Sequence, residues 1–376
     1  MRHSLLAAAL LTALVAGCKA EAPTAPTASP ETATAAASQA DAKFAELSKR
    51  WLEGWLPLNP VAATQIGDHR FDAELDDVSA AGRQRALDFS KTLLAELDAI
   101  DAKTLSRENQ VDALILRNQL RGDIWSIETL QAWAWDPQGY SGLAGSAIYN
   151  LMAREFAPLP ERLKSATARM EKLPAMFAQM RAEIVPARVP KLHAETVAKQ
   201  HAGLLSLIDT FITPNADKLQ GEDRTRLDAA VAGLRKAVAE HQEWLDKTLV
   251  PNANGDVRIG QKLYDEKLQF SLNSELTRPE IRKRAEAEIA RVRDEMYVGA
   301  RGVLKDKPDA PELPDAPSEA QKQKAIEAAL ELAYAERPAR DKVVEYATQT
   351  TKDATAFVRA KDLVTVPDDP VKIILM

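Results

Sequence analysis

From Ala42 onward the apolar side chains recur with a helical period almost without a break, and that period decides the fold class. Phe44, Leu47, Trp51 and Trp55 stand at i, i+3, i+7 and i+11, one face of a first helix that Pro57 and Pro60 should end. The same periodicity predicts helices over 80–101, 106–130, 143–156, 159–184, 189–213, 223–249, 261–271, 278–304, 318–335 and 338–360. Thr277 with Glu280, and Ser318 with Gln321, have the spacing of a capping box, in which each side chain satisfies the other residue's orphan amide. Only 15 glycines occur in 376 residues, too few for the many tight turns of a sandwich or barrel. The expected fold is all-α, an array of long helices, with the acidic, proline-rich stretch 306–317 as a loop. The pattern changes at the end: Leu363–Val366, Pro367–Pro370 and Val371–Met376 read as strand, turn and strand, the start of a β-hairpin. An unpaired apolar strand is an aggregation hazard, so the sequence reads as the N-terminal part of a larger domain.

The other end carries an address. Arg2 supplies a positive charge, Leu5 to Val15 is apolar, and Ala16-Gly17 is small, which together make a secretory signal over 1–17. The apolar run is shorter than the ~20 residues a spanning helix needs. Val15-Ala16-Gly17-Cys18 looks like a bacterial lipobox, whose cysteine is acylated and becomes the mature N-terminus; a plain secreted protein with a coincidental cysteine is the alternative. Lys19 resembles the pattern of lipoproteins sent on to the outer membrane, facing the periplasm. Residues 19–41 hold no large apolar side chain, so 18–41 is expected to be a lipidated cysteine and disordered tether, with 42–376 as an incomplete helical domain. The expected partner is therefore a membrane, held through Cys18. Nucleic acid is excluded, because 49 basic and 55 acidic residues are interspersed rather than gathered into a basic face.

Motifs that carry chemistry are scarce. With one cysteine there is neither an internal disulfide framework nor a four-thiolate zinc cluster. None of the five histidines is followed by glutamate, so the His-Glu-x-x-His helix of a zinc peptidase is absent. His193 and His201 stand eight residues apart, about 12 Å along a helix, too far to share a metal; they are expected to be solvated or to line a groove. Gly139 to Gly145 lacks both the spacing of a hydrolase elbow and the lysine of a phosphate loop, and reads as a flexible helix start. The aspartates from Gly67 to Asp77 lack the alternating ligands of a calcium loop, and local turn bonding explains them. Trp133, Trp135, Asp136 and Tyr140 crowd one region and are candidate cleft-lining residues, though such clusters are more often core at a loop-to-helix junction. His69, Arg258 and Tyr264 are candidates of the same kind, the last two as holders of a substrate carboxylate; capping and packing also account for them. No catalytic or metal-ligating residue is assigned.

Several strings in order carry a resemblance. They are Asn59-Pro60-Val61-Ala62-Ala63-Thr64 with Gly67-Asp68-His69 and Phe71-Asp72, then Asn150 to Phe156 with Ala157-Pro158, Glu161-Arg162, Met170 to Pro174, Arg258 to Tyr264, and Val364 to Pro370. With the lipobox, they resemble the bacterial lipoproteins of domain of unknown function 885 (DUF885). That family is similar to the helical zinc peptidases related to thermostable carboxypeptidases and angiotensin-converting enzyme. The resemblance implies one wall of a helical gluzincin-like peptidase, a mostly helical body divided by a cleft with its His-Glu-x-x-His helix downstream of the positions matched here. It further implies a lipid-anchored, zinc-metallopeptidase-like protein acting on periplasmic peptides, whose N-terminal part would be inactive alone. No cofactor is implied within this chain, and zinc only if a longer protein carries the downstream motif. The alternative is a complete, non-catalytic helical lipoprotein serving as a scaffold or binding module.

Overall fold

Helical spacing of large apolar side chains yields the expected helices. The computed structural model describes residues 30–369 together with 371 and 373. It divides into two units, one up to Glu275 and one from Leu276. In the first, Ala40, Phe44 and Leu47 of α1 (Pro30–Leu58) pack on Leu93 and Leu97 of α3 (Ala80–Asp98) and on Ala113, Leu116 and Leu120 of α4 (Arg107–Trp125). The short α2 (Pro60–Ile66) lies between α1 and α3, and Gly67 ends it in a left-handed turn at φ 96°, where a side chain would be strained.

A larger core forms around α5 (Pro137–Met152) and α6 (Leu159–Glu183). Ile148 and Leu151 of α5 meet Leu163, Ala166, Met170, Leu173 and Phe177 of α6. Burying each leucine fully is worth about 1.5–3 kcal/mol, which outweighs the interior Pro174 that removes one helix bond. After α7 (Lys191–Gln200) and α8 (Gly203–Leu207), α9 (Gly221–Trp244) closes this core with Leu227, Ala230, Leu234 and Val238. A third cluster joins Tyr140, Met180, Val189 and Val197 to Leu245 and Leu249, just before α10 (Val250–Asn252). The unit ends with α11 (Gln261–Leu272), fixed to α4 by the Trp125 indole, which donates to Glu266 at 2.7 Å, and by the Asn118 amide, which donates to the Phe270 carbonyl at 2.9 Å.

The second unit is built on α12 (Arg278–Leu304) and α13 (Glu319–Ala335), whose shared core is Tyr297, Ala300, Leu304, Ala325 and Ile326. The Tyr297 hydroxyl donates to the Pro314 carbonyl at 2.7 Å and so holds the 306–317 loop. The Ser318 and Gln321 capping box is formed in both directions. Helix α14 (Val343–Lys361) leaves Val343, Tyr346 and Phe357 exposed.

The structure is all-α among the described residues, where the β features reduce to one isolated bridge between Pro190 and Gly255. The strand expected at Leu363–Val366 is not formed. These residues are irregular, and Leu363, Val364 and Thr365 are exposed, because β-branched side chains make a strand only when another strand supplies a ladder. Its partner, 371–376, falls mostly outside the described residues. Helix α1 takes in residues 30–41 of the expected tether; the run of alanines there has the highest helix propensity of any residue type. It also continues through Pro57, and Pro60 starts a helix rather than ending one. The signal segment 1–17, the Cys18 lipidation site and residues up to 29 lie outside the described residues. No helix among the described residues is long and apolar enough to cross a membrane.

Candidate functional site

The segment from Asn59 to Asp77 is held by bases in α6 and in the turn that leads into it. Arg169 of α6 is fully buried, and each of its three nitrogens donates. Nε bonds the Glu74 carbonyl at 2.8 Å, Nη1 the Ala147 carbonyl at 3.0 Å, and Nη2 the Pro60 carbonyl at 3.1 Å and the Thr64 hydroxyl at 2.7 Å. Thr64 donates to Asp72 at 2.6 Å, and the other Asp72 oxygen meets His69 Nδ1 at 3.0 Å. Burial lowers the Arg169 pKa to about 10, and the charges of Asp72, Asp76 and Glu74 oppose that fall. Arg154 donates to the Thr64 and Gln65 carbonyls in the last turn of α2, of which the Thr64 carbonyl also accepts the Gly67 amide. Eight residues further on, Arg162 of α6 bonds the carbonyls of Leu151 and Met152 at the end of α5 and of Ala157 beyond it. The His69 ring lies flat on Phe156, with centroids 3.7 Å apart.

Asp72 apart, the aspartates of this segment each hold a backbone amide. Asp68 accepts from the Arg70 amide, Asp76 from the Val61 amide at 3.1 Å, and Asp77 from the Ser79 amide and from Arg85. The Asp68 and Asp77 backbone bonds are turn bonding of the kind the sequence suggested, whereas Asp76 reaches back to the start of α2.

Fixed in this way, the segment forms one side of a cavity of about 680 Å³. Phe71, Leu75, Asp76, Asp77 and Val78 line it from that side, Gly82, Arg83 and Arg85 from the start of α3, and Ile127, Trp133, Asp136, Tyr140 and Leu143 from the turn before α5 and from α5 itself. Arg83 fixes the far wall. It donates to the Val78 carbonyl at 2.9 Å and to Glu183 at 2.7 Å, and its guanidinium carbon lies 4.0 Å from the centre of the Trp133 ring. The Tyr140 hydroxyl donates to the Trp133 carbonyl at 2.8 Å, and burial pushes its pKa up to about 12. Burial also raises the pKa of Asp76, against the lowering pull of the Val61 amide. The cavity thus has a mostly apolar lining, fixed ion pairs and one carboxylate in a dehydrated setting, the composition of a small-molecule site.

Three of the expected cleft-lining residues, Trp133, Asp136 and Tyr140, are brought together here. Asp136 also caps α5 by accepting from the Gln138 amide at 3.1 Å, with Pro137 in the first helical position. The glycines 139–145 are therefore inside a helix rather than at a flexible start. Trp135 stands outside the cavity lining, donating to the Leu130 carbonyl and stacking on His193. His69 belongs to the Arg169 network and borders a shallower groove with Leu52, Leu56 and Ile66. Arg258 and Tyr264 are exposed, before and within α11, and do not line the cavity.

His201 is 4% exposed and His241 1%, so His201 is a core residue and neither solvated nor in a groove. Their rings are 4.8 Å apart, enclosed with Phe177 and Trp244. Among the described residues no group of three or more His, Cys, Asp or Glu side chains could hold a metal. Asp76, Arg83 and Arg169 are the site residues that sequence periodicity passes over.

Comparison with known proteins places the chain. It belongs to the family described as a bacterial protein of unknown function (DUF885), whose profile matches residues 60–376. It is similar to the solved structure of a protein of unknown function from Shewanella oneidensis, described there as a candidate lipoprotein. The two are 26% identical with a TM-score of 0.69, over 86% of this chain and 59% of that one. The chain therefore spans less than two thirds of that neighbour's length. No curated protein matches it.

Proposed function

We propose that this DUF885 chain is the ligand-binding portion of a lipid-anchored cell-envelope protein that, as a whole, is zinc-metallopeptidase-like and acts on periplasmic peptides. The observation that carries this is the cavity beside Trp133 and Tyr140, whose walls are fixed by the half-buried Arg83 and the buried Arg169 before any ligand arrives. Pre-fixed walls lower the ordering cost of binding. The anchor rests on Cys18 in its lipobox context and on the neighbour's description as a candidate lipoprotein. Lys19 supports the outer membrane, facing the periplasm. In this reading peptide bonds are cut by a zinc site contributed downstream of the residues described here, and this chain supplies a wall of the cleft.

The test compares the complete native lipoprotein with the 376-residue chain on a fluorogenic peptide pool, with and without a chelator. Cleavage by the complete protein that chelation removes, with binding and no cleavage by the shorter chain, is the expected result. Cleavage by the shorter chain alone overturns the assignment of chemistry. Binding with no cleavage by the complete protein leaves the rival, a non-catalytic helical binding module.

A further inference from the structure

We infer that the cavity takes a cationic group on an apolar body, with an amine or guanidinium seated at Asp76 and its hydrocarbon along Trp133, Tyr140 and Leu143. The inference rests on the reading of this cavity as the protein's ligand site and adds the charge of what it binds.

The charges on the wall argue it. Arg83 is occupied by Glu183 and the Val78 carbonyl, Arg85 by Asp77, and Glu74 by Lys172. Asp136 accepts from both the Gln138 amide and its side chain, and His193 Nδ1 at 3.5 Å is a charged partner only when that ring is protonated. Asp76 is the exception, forming no ion pair among the described residues. Its carboxylate accepts the Val61 amide at Oδ2 and its own backbone amide, whereas a carboxylate has about four lone-pair positions to satisfy and neither donor carries a charge. Arg169 attracts it from a distance but directs its nitrogens at backbone carbonyls and Thr64.

Each class of ligand meets this wall differently. An anion would face Asp76 with both cavity arginines already committed. A neutral ligand would seal a carboxylate away from water without a partner, which is costly. A cation gives Asp76 the partner it lacks. The apolar part of the ligand then covers Trp133, Tyr140 and Leu143, and a volume of about 680 Å³ is room for an amine with a side-chain-sized hydrocarbon. Two sources share this chemistry: a peptide's free N-terminus, or a lysine or arginine side chain.

Calorimetry on the purified full chain tests it with matched probes. Phenylbutylamine is compared with phenylbutanol, and Leu-Phe amide and N-acetyl-Lys-Phe amide with N-acetyl-Leu-Phe amide. The amine should bind at least about tenfold tighter than the alcohol. Asp76→Asn should erase that advantage, weakening the amine and tightening the alcohol, which no longer seals away an unpaired carboxylate, while Leu143→Trp, which fills the apolar side, should weaken both. Preference for Leu-Phe amide identifies the N-terminus as the source, and preference for N-acetyl-Lys-Phe amide the side chain. Equal binding of amine and alcohol, or an amine preference that survives Asp76→Asn, overturns the inference. With equal binding, the peptide reading still stands if N-acetyl-Leu-Phe amide binds. Amine preference with no peptide binding upholds the inference and removes the peptide reading. Failure of every probe removes both.

Discussion

The Arg169 guanidinium donates to the Thr64 hydroxyl at 2.7 Å deep in the protein, and Thr64 hands a second hydrogen bond to Asp72 at 2.6 Å. Through this pair, α6 grips the turn that makes one side of the cavity. Arg169→Met would remove one donor from each of the Pro60, Ala147 and Glu74 carbonyls and leave Asp72 without its buried countercharge. A loss of about 3–5 kcal/mol is expected. Arg169→Lys keeps the charge but not the fork, so it should fall between. Chemical denaturation checks both, and a methionine variant as stable as the parent would show that the network is not what holds the turn.

Residues such as Arg169 explain why the fold was legible in the sequence and the site was only partly so. Helix periods depend on neighbours three and four apart, and nearly every predicted helix is present. The beginning of α5 was missed although Asp136-Pro137 is a strong start signal, because the glycines after it argued for a loop. Leu363–Val366 was misread because a short apolar run does not reveal whether a second strand pairs with it. Buried bases are harder, since a charged residue on a helix usually faces water. A signal was nevertheless present: Arg162 and Arg169 are seven apart on the same stripe as Ala166, Met170 and Leu173, and His241 follows Leu234 and Val238 in the same way. Asp76 offered no such clue. Its isolation follows from how the other charges pair across elements distant in sequence.

Two glycines near the cavity should respond to alanine with opposite signs. A Cβ at Gly82 would sit 2.1 Å from the Asp77 carbonyl oxygen, a backbone atom that cannot step aside alone. Gly82→Ala should therefore cost about 1–3 kcal/mol and disturb the Asp77 and Arg85 wall. At Gly142, inside α5, a Cβ meets nothing within 4 Å. Gly142→Ala should stabilise by roughly 0.5–1 kcal/mol through the reduced freedom of the unfolded chain. Thermal melts of the two variants check this, and shifts of the same sign would contradict the described packing.

The anchor is tested at Cys18. Cys18→Ser removes the sulfur that would carry the lipid, so the protein should move from the membrane fraction to the soluble one and lose the acyl increment in its intact mass. Several acyl chains, at about 0.8 kcal/mol per buried CH₂, make the contrast large. A parent protein that is already soluble, with no added mass, would leave a plain secreted protein.

The buried histidines give the molecule an acid response. Burial, with smaller contributions from His201 and Arg181, lowers the His241 pKa from 6.5 to about 3. Arg181 donates to His241 Nδ1 at 3.2 Å, a bond that requires that nitrogen to be unprotonated. Between those two values the unfolded chain binds a proton that the folded chain refuses. Stability should therefore be fully present above pH 6.5 and decline as pH falls toward 3, by at most about 1.4 kcal/mol per pH unit. Asp123 acts in the opposite sense: burial raises its pKa from 3.8 to about 6, so its contribution favours the folded state below that window and is lost as pH rises through it. The two slopes partly cancel between pH 4 and 6, and variants separate them. His241→Phe, which keeps a ring between Phe177 and Trp244, should flatten the decline toward acid, whereas Asp123→Asn should steepen it. Denaturant midpoints measured from pH 4 to 7 read both slopes, and a His241→Phe profile parallel to the parent's would show that His241 takes up its proton in the folded state.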